Sequence, residues 1–251
     1  MYILRTRKGG GFTKRSEMTY CPIEKCKTLQ RATLAGNTMF YGVISDKQEH
    51  LENARAISIS ECSNLCRDGI DSIGREKFSI SYWEVVKPLN VISFISDTIY
   101  PDVHDNALLT DLRNVFKSEI ESASEEDKDL FRFISAEFSK VVKDQSEYLI
   151  SATIATMILK NIPDIDGILY PSVQLGGQAG LNIALSPKAT NKKLRFIRII
   201  DNTLYKNKDK SFIRMEKITN RNDKTKEIYQ IPNEYIEKEL EIISLSTLPT
   251  I

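Results

Sequence analysis

A sparse set of side chains in this 251-residue sequence has the types and placement to do chemistry: Arg5, Arg31, Tyr41, Glu61, Ser172 and Asn182. Glu61 falls in a run, residues 52–66, where Ala54, Ile57, Glu61 and Leu65 share one face at helical spacing. A carboxylate on a mostly apolar face pairs with a cation, acts on a ligand, or sits at the rim facing water. Arg31 and Arg5 each carry a planar, permanently charged fork suited to phosphate, and Arg31 could equally form a plain ion pair with Glu61. Tyr41 lies in the apolar run 38–43 and combines a stacking ring with a polar hydroxyl; its ordinary role there is core packing. Ser172 follows Pro171 ahead of a glycine-rich turn through Gly176, Gly177 and Gly180. It is a small neutral donor or simply a turn residue, and Asn182 beyond it contacts a ligand or holds the loop.

Other familiar constellations are absent. The sequence has no G-x-G-x-x-G, no G-x-x-x-x-G-K-[ST] and no G-x-S-x-G. His50 and His104 lie far from any nucleophile arrangement, which disfavours a histidine-based hydrolase. Cys21 and Cys26 are spaced C-x4-C, and Cys62 and Cys66 C-x3-C; neither is the C-x2-C of common zinc sites, so no metal is expected. The four cysteines read as reduced thiols of a cytoplasmic protein. Gly9, Gly10 and Gly11, set among basic residues, could cradle a phosphate through backbone N–H groups, but three glycines alone fit a plain loop better.

The elements that must position these residues follow from pattern. Lys and Arg number 35 against 34 Asp and Glu, a net charge of +1, which argues against a nucleic-acid coat protein and against a disordered acidic chain. Strands are expected at 2–7, 38–43, 78–86, 91–95, 167–170, 181–185, 194–200, 211–218 and 224–230, with 78–86 and 91–95 forming a hairpin or adjacent strands. The glycine-free acidic stretch 102–143 reads as helical, with Ser122-x-x-Glu125 as a capping box before a stripe of Leu130, Phe131, Ile134, Phe138 and Val141. Residues 147–160 are apolar nearly all round and read as a buried helix, and 233–243 as a closing one. The run 206–226 holds eight Lys or Arg; it is a phosphate-contacting patch or, with Asp209 and Asp223 diluting it, a solvated hairpin edge, the preferred reading. The longest apolar run, 149–159, is interrupted by Ser151, Thr153 and Thr156 and falls short of the about 20 residues a membrane span needs. The N-terminus lacks the apolar core of a signal peptide. The whole reads as one α+β domain with a helical insertion at about 102–160: a segment 1–204 carrying the candidate site, and a C-terminal β/helix extension, 205–251, packed on the same domain.

Within this pattern, Arg31-Ala-Thr-Leu-Ala-Gly36-Asn-Thr-Met-Phe40-Tyr41-Gly42, followed by Ala54-Arg-Ala56-Ile-Ser-Ile-Ser-Glu61, resembles the RES family. That family shows an Arg-x-Asn element, a gap with glycine, an aromatic strand ending in Tyr, and a helix carrying Glu. Asp166-Gly167-Ile168-Leu169-Tyr170-Pro171-Ser172, the glycine-rich turn and Asn182-Ile183-Ala184-Leu185 resemble its later element, and Leu4-Arg5-Thr6-Arg7 resembles its opening strand. The resemblance spans roughly residues 4–187, interrupted by 102–160. Gln30 stands where members often have Gly, and Thr33 where they have Asn.

The resemblance implies an ADP-ribosyltransferase-like fold of split small β-sheets with flanking helices. It also implies an NAD-consuming toxin, often paired with an antitoxin, that breaks the nicotinamide–ribose bond by hydrolysis or phosphorolysis; the alternatives are transfer of ADP-ribose to a protein acceptor, or NAD binding without turnover. Glu61 would then stabilise an oxocarbenium-like transition state. Arg31 and Arg5 would hold the pyrophosphate, Tyr41 would pack the nicotinamide end, and Ser172 and Asn182 would hydrogen-bond ligand or loop. NAD enters as substrate.

Overall fold

The computed structural model describes residues 1–47, 50–67, 72–95, 107–173, 180–208, 211–221 and 228–230. In chain order its elements are β1 (Tyr2–Lys8), α1 (Arg15–Met18), β2 (Phe40–Ser45), α2 (Leu51–Ser60), α3 (Asn64–Arg67), β3 (Gly74–Val85), β4 (Val91–Ser93), α4 (Ala107–Glu121), α5 (Glu125–Ser139), α6 (Leu149–Asn161), β5 (Gly167–Pro171), β6 (Leu181–Leu185), α7 (Pro187–Lys193), β7 (Leu194–Lys206), β8 (Ser211–Arg221) and β9 (Ile228–Gln230). The architecture is α+β. One mixed sheet runs β4-β5-β6-β2-β1-β3-β7-β8-β9, with β4–β5 parallel and the other pairings antiparallel.

The pairing at the centre of this sheet sets where the candidate site lies. β1 and β2 are joined at only three positions: Tyr2 with Ser45, Ile3 with Ile44, and Leu4 with Val43. Beyond Leu4, β1 continues along β3 as far as Lys8 opposite Phe78, while β2 stays with β6 from Phe40 opposite Leu185. The two strands therefore part at Arg5 and Gly42, and the sheet opens there into two halves. Gly42 permits the close approach just before the split: a Cβ at this position would lie 2.4 Å from Ile3 Cγ2 and 2.9 Å from the Leu4 carbonyl oxygen.

Alternation along the central strands fills the core on both faces. On one face Trp83 is fully buried and met edge-on by Phe40 and Phe196, each ring centroid 5.2 Å away, and its indole N–H donates to Ser81 Oγ at 2.9 Å. On the other, Leu4, Val43, Phe78 and Ile80 pack with Ala54 and Ile57 of α2. A third cluster joins the helical insertion to β5 through Phe94, Phe138, Ala155, Ile168 and Tyr170, with Phe94 and Phe138 stacked at 4.7 Å.

Several expectations from pattern need correction. β3 and β4 are not neighbours: β1, β2, β6 and β5 lie between them. The Lys87–Asn90 segment is a crossover, tied to the residue before β5 by Asn90 N–H donating to Asp166 Oδ2 (2.7 Å) and Asp166 N–H to the Asn90 carbonyl (2.7 Å). The cap of α5 is Ser124, which accepts from the Asp127 N–H at 3.1 Å, whereas Ser122 closes the previous helix by donating to the Glu119 carbonyl. Helix α6 buries only a stripe of small residues (Ser151, Ala152, Ala155) and exposes Leu149, Ile150 and Met157, so its uniformly apolar sequence does not correspond to a fully enclosed helix. The helix expected over 52–66 is two helices, α2 and α3, with a break after Ser60. A boundary at 204 falls inside β7, and β8 extends the same sheet along β7 through Lys206 opposite Ser211. Residues 231–251, including the expected helix 233–243, lie outside the described residues.

The three N-terminal glycines form a tethered loop. Gly9 and Gly11 take left-handed φ values of 89° and 80°, Gly9 N–H donates to the Lys77 carbonyl, and Gly11 N–H donates to Asp201 Oδ2 at 3.0 Å. No described helix is long and apolar enough to cross a membrane.

Candidate active site

Where β1 and β2 part, a cleft of about 180 Å³ is lined by Leu4, Arg5, Thr6, Tyr41, Gly42, Val43, Ser58, Glu61, Cys62, Tyr170 and Asn182. Four of the residues singled out from sequence, Arg5, Tyr41, Glu61 and Asn182, meet here from four separate elements.

Glu61 is the C-cap residue of α2 rather than part of a continuous helix. Its backbone N–H still donates to the Ile57 carbonyl at 3.1 Å, and the chain then turns through Cys62 and Ser63 into α3. A buried acid on β3 fixes that turn. Glu76 contacts the Ser63 hydroxyl, which donates to its Oε2, and accepts from Lys8 Nζ (3.0 Å), Asn64 N–H (3.3 Å) and Leu65 N–H (3.4 Å). Burial pushes the Glu76 carboxyl up, but the Ser63 hydroxyl and the Lys8 ammonium outweigh it, and the net displacement is below the ordinary glutamate value.

The Glu61 carboxylate is aimed by two donors on one oxygen. Ser172 Oγ donates to Oε1 at 2.6 Å and Asn182 Nδ2 donates to the same atom at 2.8 Å. Oε2 makes no hydrogen bond to the described residues. Both donors come from the ends of paired strands: Ser172 follows β5, and Asn182 lies in β6 opposite Tyr170. Ser172 is fully buried and does not line the cleft, so it orients Glu61 instead of meeting a ligand. Gly180, whose carbonyl accepts from Ser172 N–H at 2.9 Å, packs so closely on α2 that a Cβ would lie 2.5 Å from Ile57 Cδ1. This contact brings the start of β6 to the helix that ends in Glu61.

Arg5 bridges the split. Its Nη1 donates to the Tyr41 carbonyl at 2.9 Å, and its guanidinium lies over the Phe40 ring at 5.5 Å. Nε is buried without a hydrogen-bond partner, and burial lowers the pKa of the group.

Tyr41 offers the cleft its ring. Its hydroxyl oxygen accepts from the Ala32 N–H at 3.2 Å and hydrogen-bonds with Thr33 Oγ1. Burial pushes the phenol pKa well up, so the group stays neutral.

Arg31 is not brought to the cleft, and it forms no ion pair with Glu61. It is buried, with Nη1 donating to the Glu137 and Phe138 carbonyls (3.3 and 3.0 Å) and Nη2 to the Lys140 carbonyl (2.8 Å). The guanidinium carbon also lies 4.9 Å from the Tyr148 ring centre and 5.8 Å from that of Tyr170. A phosphate-binding role for Arg31 is therefore not supported by its surroundings: its donors already serve the end of α5.

Sequence reasoning passed over Tyr170, Thr6, Ser58 and Cys62. Tyr170 was signalled by its place directly before Pro171-Ser172. Thr6 and Ser58 are hydrogen-bonded to each other at 2.8 Å, a contact between β1 and α2 that no local pattern announces. Burial raises the Cys62 thiol pKa, which disfavours the nucleophilic thiolate.

All four cysteines are free, and among the described residues no cluster of His, Cys, Asp and Glu could hold a metal ion. No protein-family model matches the chain, and no curated protein matches it.

Proposed function

We propose that the cleft cleaves the nicotinamide–ribose bond of NAD, and that the chain is an NAD-consuming enzyme of the kind its resemblance to the RES family implies. The observation that carries this reading is the Glu61 carboxylate, held through Oε1 by Ser172 and Asn182 with Oε2 left toward a ligand, in the same cleft as the Arg5 fork and the Tyr41 and Tyr170 rings.

The chemistry suits this donor set. The bond from ribose C1′ to the pyridinium nitrogen breaks with its electron pair leaving on nicotinamide, which departs neutral and needs no general acid. Positive charge moves onto the ribose, where a fixed carboxylate stabilises it. Water then supplies a hydroxyl to C1′ and releases a proton, giving ADP-ribose; phosphate in place of water gives the phosphorolytic product. Arg5, the cation lining the cleft, would take a phosphate oxygen with its guanidinium. The aromatic walls would pack a flat ring.

The test is incubation of the purified chain with NAD, with and without phosphate, following free nicotinamide. Release above background supports the proposal, and no release in either condition rejects it. Expression in cells should lower their NAD content and arrest growth.

A further inference from the structure

We infer that Arg31 is a positioning residue, tying the C-terminal end of α5 to both aromatic walls of the cleft and making the helical insertion part of the site. A four-residue turn, residues 30–33, carries it: Gln30 N–H donates to the Thr33 carbonyl at 2.9 Å, and Thr33 N–H to the Gln30 carbonyl at 3.0 Å. From that turn Arg31 reaches the carbonyls of Glu137, Phe138 and Lys140, the acceptors a helix end leaves without intrahelical partners. Its guanidinium lies against Tyr170, on the cleft wall. The next two residues of the same turn hold the hydroxyl of Tyr41, the other aromatic wall. One four-residue turn thus touches the insertion with a side chain and both cleft tyrosines with its side chain and backbone. A lysine cannot replace this arginine, because one ammonium lacks both the fork that spans several carbonyls and the plane that stacks on a ring.

The kinetic part of this inference rests on the proposed NAD cleavage; the structural part does not. The experiment compares Arg31→Met and Arg31→Lys in the full chain by amide hydrogen exchange and by NAD turnover. Both variants are expected to keep wild-type protection in β7, to lose protection in β5, and to drop in kcat on the order of a hundredfold with KM little changed. In a Tyr170→Leu background the Arg31→Met replacement should cost less than it does in the wild type, since the two act together. Wild-type turnover and β5 protection in Arg31→Lys would overturn the inference. So would a rise in KM at unchanged kcat, the mark of a direct ligand contact, or loss of β7 protection in both variants, the mark of general support for the fold. If the wild type does not cleave NAD, the functional proposal fails while hydrogen exchange still decides whether Arg31 couples α5 to β5.

Discussion

Asn182, on β6, donates its side-chain amide to Glu61 Oε1 at 2.8 Å across 121 positions of sequence. Together with Ser172 it fixes one carboxylate oxygen, while the other makes no hydrogen bond to the described residues. A hydrogen bond to a charged group contributes about 1.5–3 kcal/mol, so Asn182→Ala should lower kcat/KM for NAD by roughly ten- to a hundredfold if the carboxylate loses its aim. Ser172→Ala should do the same with an unaltered fold by circular dichroism. Wild-type kinetics in both variants would show that these donors do not orient Glu61.

Tyr41 separates ring from hydroxyl. Because the hydroxyl is engaged by Ala32 and Thr33, a ligand bound as proposed would meet only the ring. Tyr41→Phe should keep turnover within a few-fold of wild type, while Tyr41→Ala should lose on the order of tenfold or more through the missing stacking surface. Steady-state kinetics on the pair checks this. Equal losses in both variants would assign the hydroxyl to the ligand.

Arg5 is the cation that lines the cleft. Replacing it with Ala should weaken NAD binding by about ten- to a hundredfold, measured by calorimetry on the inactive Glu61→Gln background. The corresponding change at Arg31 should alter turnover more than affinity.

Much of this arrangement was legible in the sequence, and the parts that were not share a cause. The strands around the site carry period-two or continuous apolar patterns, and β1, β2, β5 and β6 appear where those patterns lie. Glu61, Ser172, Asn182, Tyr41 and Arg5 stand out as a set through the order of motifs in which the chain resembles the RES family. The fate of Arg31 was not legible: its acceptors are backbone carbonyls of α5, more than a hundred residues away, and carbonyls leave no mark in sequence. The partner of β4 is not legible locally either. Two β-rich runs joined by Lys-Pro-Leu-Asn fit a hairpin locally, yet the parallel partner of β4 is β5, with Val91 opposite Gly167. The break after α2 was hidden because helical spacing continues from Ile57 through Glu61 to Leu65, while Glu76, from a strand beyond, captures the Ser63–Leu65 turn.

That capture gives a pH prediction. The Glu76 carboxyl lies below its ordinary value in the folded protein despite the opposing effect of burial. A depressed folded-state value means that its contribution to stability is fully present above the unfolded value of about 4.3 and is lost as pH falls through the folded value. Glu76→Gln should lower Tm at pH 7 and make Tm less dependent on pH below about 4.5 than it is in the wild type. Thermal melts of the two proteins across that range check it; parallel acid limbs would remove Glu76 from this role.

Gly42 tests the split itself. The Cβ of Ala would collide with Ile3 Cγ2 and the Leu4 carbonyl, forcing apart the only three positions at which β1 and β2 pair. Gly42→Ala should destabilise the fold by about 1–3 kcal/mol in a denaturant titration and reduce ligand affinity. A variant as stable as wild type would mean that the two halves of the sheet do not need this close approach.

The most direct measurement is the rate of nicotinamide release from NAD by the wild type and by Glu61→Gln, assayed side by side. Glutamine keeps the size and hydrogen-bonding capacity of the side chain and removes its charge. If Glu61 stabilises the ribosyl cation, the wild type releases nicotinamide and the variant is slower by about 10²–10³-fold. A wild type that releases none, or a variant as fast as the wild type, contradicts the assignment.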